Sequence, residues 1–146
     1  MRELTSIAEV RRYVRELRET HGTVGFVPTM GNLHEGHLAL AAHARRRSGA
    51  VVVSIYVNPL QFGESEDFSG YPRTLDKDRA LLRSAGVAAL FLPDEAVMYP
   101  RGTSQQTRVT VPGLEDILDG EFRPGHFQGV TTVVARLLNI VGPDIA

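Results

Sequence analysis

The sequence contains no cysteine, and none of its apolar runs is long enough to cross a membrane. Without cysteine the chain can form neither disulfide bonds nor thiolate metal sites, which fits a reducing compartment. A membrane-spanning helix requires roughly 20 apolar residues, well above the longest run here. The opening stretch, MRELTSIAEVRRYVREL, is charged and amphipathic, whereas a signal peptide has an apolar centre. We therefore expect a cytoplasmic protein with no membrane partner.

The sequence also lacks an excess of charge of either sign. A formal net charge of -1 and a pI near 6.5 give no broad attraction to nucleic acid, so no nucleic-acid partner is expected. The GxGxxG and GxxxxGK[ST] phosphate loops are absent, which leaves ordinary dinucleotide binding and P-loop chemistry unsupported. A chain of 146 residues with 42% hydrophobic and 23% charged residues is typical of one globular domain with a single packed core.

The first half of the chain has the pattern of a strand, a helix and a strand. Two short β-branched apolar runs, residues 23–28 and 50–57, are typical of strands that are covered on both faces. Between them, residues 36–47 are predicted to form a helix. Another helix is predicted over residues 6–20 from a capping box and from apolar residues at helical spacing, namely Leu4, Ile7, Val10, Val14 and Leu17. Such a strand–helix–strand unit implies a parallel sheet.

The second half predicts further elements of the same sheet. After a polar loop that includes Glu64, we expect a helix from Thr74 that Gly86 ends. The remaining predictions are a strand over residues 87–92, an exposed edge strand over 107–111, a short helix near 114–118 and a last helix over 129–141. The last four residues, PDIA, have the pattern of the approach to a further strand. The predicted fold class is α/β, a Rossmann-like parallel sheet with flanking helices, incomplete at its C-terminus.

The stretch VPTMGNLHEGHLAL, residues 27–40, places two histidines where a predicted strand passes into a predicted helix. The first amides of a helix are unpaired donors with a partial positive charge, which favours phosphate. Gly31 and Gly36 allow the backbone to approach a ligand. His34 and His37 can donate hydrogen bonds to phosphate oxygens as negative charge grows in a transition state. The turn is a candidate for attack at a phosphoryl group with pyrophosphate leaving.

Two alternatives for this turn remain open. The histidine pair could bind a metal, but a metal site needs a third protein ligand, and the remaining imidazoles are only His21, His43 and His126. We therefore predict no protein metal ligands. The pair could also be solvated residues of an ordinary turn, which is the favoured interpretation for an arbitrary HxxH sequence. The preceding strand, the glycines and the following helix favour a functional turn.

Several motifs in order along the chain resemble one family. The HxGH pattern of residues 34–37 resembles the signature of the nucleotidyltransferase superfamily. The wider set resembles the pantothenate synthetase family: PTMGNLHEGH, VSIYVNPLQF, YPRTL, VPGL, RPGHFQGV and PDIA, at residues 28–37, 53–62, 71–75, 111–114, 123–130 and 143–146. The resemblance implies an ATP-dependent ligase that forms a C–N bond. Pantoate would attack ATP to give pantoyl adenylate and pyrophosphate, and β-alanine would then displace AMP to give pantothenate.

The resemblance also implies roles for particular residues. His37 would be the catalytic proton donor and His34 would assist at the phosphates. The nucleotide would be bound by Met30, Gly31, Asn32, Leu33, His34, Glu35, Gly36 and His37. Pantoate would be bound by Pro28, Thr29, Met30, Asn58 and Gln61, with Gln61 also reaching β-alanine. Mg²⁺ would accompany ATP, and Asp78 falls where the family can contribute to its binding.

The resemblance ends with the chain. Members of the family continue past PDIA into a C-terminal lid domain, so residues 1–146 would be the N-terminal domain that binds the nucleotide and pantoate. We expect a homodimer, and we expect this chain alone to bind pantoate weakly and to have little or no ligase activity. The alternatives are another HxGH adenylyl- or cytidylyltransferase and a non-catalytic binding or dimerisation fragment.

Overall fold

A single parallel sheet lies between two layers of helices in the computed structural model, which describes residues 1–63 and 66–146. Glu64 of the predicted polar loop lies outside the described residues. The strands are β1 (Arg2–Leu4), β2 (Val24–Thr29), β3 (Ala50–Ile55) and β4 (Ala89–Phe91). Their spatial order is β1-β4-β3-β2, and each neighbouring pair is parallel. The predicted α/β class with a Rossmann-like parallel sheet is confirmed.

Six helices flank the sheet within the described ranges. They are α1 (Ile7–His21), α2 (Glu35–Arg47), α3 (Leu75–Ser84), α4 (Glu95–Met98), α5 (Asp119–Phe122) and α6 (His126–Val141), and short 3₁₀ turns occupy Pro59–Gln61 and Leu114–Asp116. The long helices lie within a few residues of their predicted bounds. None of the described helices combines the length and apolar character needed to cross a membrane.

Alternate residues of the central strands face two separate cores. In β3, Val52 packs into the core formed with α1 and α6, whereas Val51 and Val53 pack into the core formed with α2 and α3. Successive side chains of a strand point to opposite faces, so a strand covered on both sides must be apolar at every position. This explains the unbroken apolar runs in the sequence.

Two sequence predictions are wrong. Leu4 belongs to β1 and not to the apolar face of the first helix, because Arg2 to Leu4 pair with Ala89 to Phe91 at a distance in sequence that no local pattern shows. Residues 107–111 form no strand. Instead, the N–H of Val109 donates to Thr132 Oγ1 at 3.0 Å and its carbonyl accepts from Thr131 Oγ1 at 2.5 Å. Threonine side chains of α6 therefore form the hydrogen bonds that the backbone N–H and carbonyl of Val109 would form with a neighbouring strand in a sheet.

The last residues of the chain run beside β2. Ile145 forms a parallel bridge with Gly25, and its carbonyl accepts from the N–H of Phe26 at 2.9 Å. Asp144 supports this contact, since its Oδ2 accepts from the N–H of Val24 at 2.8 Å and from Arg18 Nε at 3.1 Å. The PDIA segment thus begins to pair on the side of β2 opposite β3. β3 and the last residues therefore lie on opposite sides of β2. In a parallel sheet that is built outwards on both sides of one strand, ligands bind next to that strand, beyond the carboxyl ends of the strands.

Candidate active site

The turn between β2 and α2 has two successive residues in the left-handed region. Gly31 has φ 83° and Asn32 has φ 49°. A Cβ atom on Gly31 would also lie 3.0 Å from Ile55 Cγ2, so both the dihedral angle and the packing favour glycine. Thr29 Oγ1 accepts from the N–H of Gly31 at 3.2 Å and donates to the carbonyl of Ser54 at 2.8 Å. The end of β2 is thereby attached to β3.

Asp78, in the first turn of α3, holds the same turn from the other side. It is 1% exposed. Its Oδ2 accepts from the N–H of Asn32 at 3.0 Å, and its Oδ1 accepts from the N–H of Leu33 at 2.8 Å and from Thr74 Oγ1 at 3.2 Å. Hydrogen bonds from backbone amides to a buried carboxylate are among the stronger ones in proteins. Asp78 therefore fixes the conformation in which the histidine turn is presented.

His34 and His37 cap the beginning of α2 reciprocally. His34 Nδ1 accepts from the N–H of Gly36 at 3.1 Å, and His37 Nδ1 accepts from the N–H of His34 at 3.4 Å. The two ring centroids are 4.1 Å apart. A neutral imidazole whose Nδ1 accepts must carry its proton on Nε2. This hydrogen-bond pattern assigns to both rings an Nε2–H donor that is not used by the helix cap.

Acidification should weaken this cap. Burial and the neighbouring His34 lower the pKa of His37 below its ordinary value of 6.5, opposed in part by Asp78. The folded chain then binds fewer protons at His37 than the unfolded chain does. This contribution to stability is complete above pH 6.5 and is lost as the pH falls through the lower pKa of the folded state.

An imidazole ¹⁵N titration by NMR checks this prediction. We expect Nε2–H tautomers for His34 and His37 at neutral pH and a titration midpoint for His37 below 6.5. A midpoint for His37 above 6.5, or an Nδ1–H tautomer for either ring of the pair, would contradict the assignment.

A cavity of about 260 Å³ adjoins the turn. His37 and Gln61 contribute polar groups, while Val130, Val133 and Val134 of α6 contribute an apolar wall. The full lining is Pro28, Thr29, Met30, His37, Tyr56, Gln61, Tyr71, Val130, Val133, Val134 and Leu137. The structure therefore brings together five of the predicted site residues in one cavity, namely Pro28, Thr29, Met30, His37 and Gln61.

The other predicted site residues of the turn do not line this cavity. His34, Glu35 and Gly36 are exposed at the entrance of α2. Asn32 is exposed, whereas Leu33 is 3% exposed in the core with α2 and α3, so only its backbone faces the turn. Gly31 is buried beside Asp78. These residues shape the helix entrance, and Leu33 contributes packing to it.

Asn58 lies behind the cavity wall and is fully buried. Its Nδ2 donates to Gln61 Oε1 at 3.2 Å and to the carbonyl of Gly129 at 3.1 Å. Its Oδ1 accepts from the Tyr99 hydroxyl at 2.8 Å. Asn58 thus connects the 3₁₀ turn that carries Gln61 with α6 and with the segment after α4.

The same 3₁₀ turn is held from its other side by Arg123 and His126. His126 Nδ1 lies 2.8 Å from the carbonyl of Gln61, and Arg123 pairs with both carboxylate oxygens of Glu66. This hydrogen-bonded pairing raises the pKa of the Arg123 guanidinium. The RPGHF motif therefore organises the wall of the cavity, and its arginine is engaged by an acid.

Tyr56 and Tyr99 are the functional candidates that sequence reasoning missed. Tyr56 lines the cavity, and Tyr99 lies behind it with 2% of its surface exposed. A buried tyrosine usually directs its hydroxyl to a specific partner, but the partner of Tyr99 is Asn58, 41 residues away in sequence. A local pattern gives no signal for that contact.

No group of three or more metal-binding side chains occurs within residues 1–63 and 66–146. Asp78 is the buried acid that holds the turn, and three donors already occupy its carboxylate. This arrangement does not fit a protein-held magnesium site, which requires oxygen ligands free to coordinate the ion.

Fold and site together define an α/β Rossmann-like domain with a ligand cavity at a strand-to-helix turn. The chain belongs to the pantoate–β-alanine ligase family, since the sequence model described as Pantoate-beta-alanine ligase matches residues 2–146. The resemblance of the motifs to this family is therefore confirmed.

Similar proteins extend the comparison. The pantothenate synthetases of Shewanella loihica and Shewanella halifaxensis are 54% identical over 140 residues and 53% identical over 141 residues. These matches cover 96% and 97% of this chain and 50% of each relative. The chain thus spans about half the length of the curated relatives it matches.

Solved structures agree in fold. The crystal structure of pantothenate synthetase from Thermus thermophilus is 53% identical with a TM-score of 0.88, covering 98% of this chain and 50% of that chain. The pantoate–β-alanine ligase from Francisella tularensis, described as complexed with β-γ ATP and β-alanine, is 39% identical with a TM-score of 0.89. That match covers 99% of this chain and 54% of the other.

Proposed function

We propose that residues 1–146 form the N-terminal domain of an enzyme that condenses pantoate with β-alanine in an ATP-dependent reaction, with a C-terminal lid domain supplied by the rest of the protein. The observation that carries this proposal is the junction of the histidine turn with the cavity that contains His37 and Gln61. A nucleotide phosphate at the entrance of α2 would lie beside a small acid in the cavity.

The cavity has the chemistry that pantoate requires. Pantoate has a carboxylate, two hydroxyls and two methyl groups on the same carbon. The valine wall of α6 offers apolar contact to the methyl groups, and the side chains of Gln61 and His37 offer hydrogen bonds to the oxygens. Its volume of about 260 Å³ suits a small molecule of this kind and is too small for a whole nucleotide. ATP would therefore occupy the exposed helix entrance.

The first chemical step would form pantoyl adenylate. A carboxylate oxygen of pantoate bonds to the α-phosphorus of ATP as the bond from that phosphorus to the pyrophosphate oxygen breaks. The Nε2–H groups of His34 and His37 would stabilise negative charge on the phosphate oxygens, aided by the N-terminal amides of α2. Positioning and charge stabilisation suffice for this step, so no covalent enzyme intermediate is required.

The second step would transfer the acyl group to β-alanine. The uncharged amine attacks the acyl carbon, the bond to the AMP oxygen breaks, and the amine loses a proton as the amide forms. His37 lines the cavity in which this carbonyl would lie and could assist proton transfer. Gln61, at the same cavity, would contact β-alanine as well as pantoate.

Mg²⁺ would be bound by the phosphates of ATP and by water, because Asp78 is engaged in the turn.

We also propose that the protein is a homodimer located in the cytoplasm, and an exposed apolar patch supports the dimer. Five large apolar side chains between residues 109 and 122 are 37% to 79% exposed: Val109, Val111, Ile117, Leu118 and Phe122. A concentration of exposed apolar residues in one segment is typical of an interaction surface. A second copy of the chain would cover this patch.

Isotope exchange tests the proposed activity. In the full-length protein, labelled pyrophosphate should enter ATP only when pantoate is present, and β-alanine should not be required. Exchange without pantoate would instead indicate another adenylyl- or cytidylyltransferase. Absence of any exchange by the folded full-length protein would favour a non-catalytic binding or dimerisation role.

The same assay on the 146-residue chain should give little or no exchange. The ATP contacts expected from the lid domain are then missing, although weak pantoate binding remains. Formation of pantothenate by this chain at an enzyme-like rate would contradict the proposal that the lid domain supplies ATP contacts needed for activity.

A further inference from the structure

The amide of Asn58 can take only one orientation. The carbonyl of Gly129 accepts and cannot donate, so it must face the NH₂ group, which lies 3.1 Å away. The N–H of Leu60 donates and cannot accept, so it must face Oδ1 at 3.4 Å. These two backbone groups fix which end of the amide is oxygen and which is nitrogen.

The orientation of Asn58 in turn determines that of Gln61. The second N–H of Asn58 points to Gln61, so the end of Gln61 that faces it at 3.2 Å must be the oxygen. The two N–H donors of Gln61 are then on the opposite side of its amide. Because Gln61 lines the cavity, this side is the one that can face a ligand.

Tyr99 completes the hydrogen bonding of Asn58. Its hydroxyl donates to Asn58 Oδ1 at 2.8 Å, a shorter contact than the 3.4 Å bond from the N–H of Leu60. Burial raises the pKa of Tyr99 to about 12, so the hydroxyl keeps its proton and remains a donor under ordinary conditions. Without it, Asn58 Oδ1 would retain only the longer bond.

We propose that Tyr99 is a positioning residue that acts through Asn58 to hold the amide of Gln61 with its N–H donors towards the cavity. This inference rests on the proposed function, since it explains how the pocket selects an acid. A carboxylate offers only acceptors, and its negative charge strengthens each hydrogen bond that it accepts, so a pocket whose amide presents donors favours the carboxylate over the corresponding carboxamide.

Tyr99→Phe in the 146-residue chain tests whether Tyr99 positions Gln61 through Asn58. Pantoate binding is measured by NMR titration. Removing the hydroxyl should raise the Kd for pantoate about five- to tenfold, the loss that corresponds to one neutral hydrogen bond. In the full-length protein the same variant should raise the KM for pantoate while the KM for ATP and kcat stay within about twofold, because only ground-state positioning of pantoate is lost. Tyr13→Phe is the matched control, since Tyr13 is a partly buried tyrosine that packs against the same core from α1.

A second measurement separates this inference from the proposed function. The ¹⁵N order parameter of the Gln61 side-chain amide should fall in Tyr99→Phe and stay unchanged in Tyr13→Phe, with no ligand present. If the unaltered chain fails to bind pantoate, the proposed pocket is wrong. The order parameter then still decides whether Tyr99 holds the amide of Gln61 through Asn58. An unchanged order parameter, or an unchanged Kd where the original chain binds pantoate, would overturn the role of Tyr99.

Variants of Gln61 test the assigned orientation itself. Gln61→Glu keeps an oxygen towards Asn58 and places a second, charged oxygen where the donors were. It should weaken pantoate binding more than Gln61→Ala does, because the carboxylate repels an acid instead of merely failing to bind it. Stronger binding by Gln61→Glu than by Gln61→Ala would overturn the orientation.

Discussion

Replacing Asp78 by asparagine should lower the free energy of unfolding by about 3 kcal/mol, because a buried carboxylate that accepts two backbone N–H groups loses one acceptor and its charge. Either orientation of the new amide places its NH₂ group against the N–H of Asn32 or of Leu33. One backbone amide of the turn is then left without an acceptor. Chemical denaturation of the chain measures the change.

The effect should be specific to the buried acid of this helix. Asp76 belongs to the same first turn of α3, but its side chain is 98% exposed and pairs with Arg79. Asp76→Asn should change the free energy of unfolding by less than about 0.5 kcal/mol, as is usual for exposed ion pairs. Equal effects of the two substitutions would show that Asp78 acts through the charge of the helix terminus and not through the turn.

The turn itself was predictable because its determinants are close together in sequence. Gly31 supplies the left-handed residue, and His34 and His37 fall at the cap and the first turn of the helix that follows. The strands were predictable for a similar reason, since burial on both faces leaves an apolar run in one short segment. Local chemistry therefore predicts both the sheet and the turn at the candidate site.

What holds the turn in place was not predictable. Asp78 is 45 residues from Leu33 in sequence, and before folding it resembles any acid in the first turn of a helix. The pairing of β1 with β4 is likewise non-local, so the local pattern places Leu4 on a helix face. In residues 107–111 the alternating pattern is real, but threonine side chains of α6 bind the backbone there and replace a strand partner.

The predicted ligand residues fall into groups that sequence cannot separate. Gln61 and His37 line the cavity, whereas Asn58 is fully buried behind it and orients Gln61. A motif such as NPLQ shows that its residues belong together but not which of them faces the ligand. Only the hydrogen bonds that Asn58 donates to Gly129 and accepts from Tyr99 identify Asn58 as a residue that supports Gln61.

His37→Asn in the full-length protein should reduce turnover about 10²- to 10⁴-fold, the range associated with removal of a catalytic proton donor. An asparagine oxygen at this position can replace His37 Nδ1 as the acceptor of the N–H of His34, so the cap of α2 is retained while the Nε2–H donor is lost. The expected result is therefore a folded protein with a low rate of pantoate-dependent pyrophosphate exchange even at saturating pantoate.

Two matched substitutions give this experiment its controls. His43→Asn alters an exposed histidine of the same helix and should leave exchange unchanged. His34→Asn keeps a good helix cap and should have a smaller effect than His37→Asn, because His34 lies at the exposed entrance while His37 lines the cavity. A larger loss from His34→Asn would place the main catalytic contact at the phosphates and not at the carboxylate of pantoate. Full activity of His37→Asn would show that His37 serves only to cap the helix.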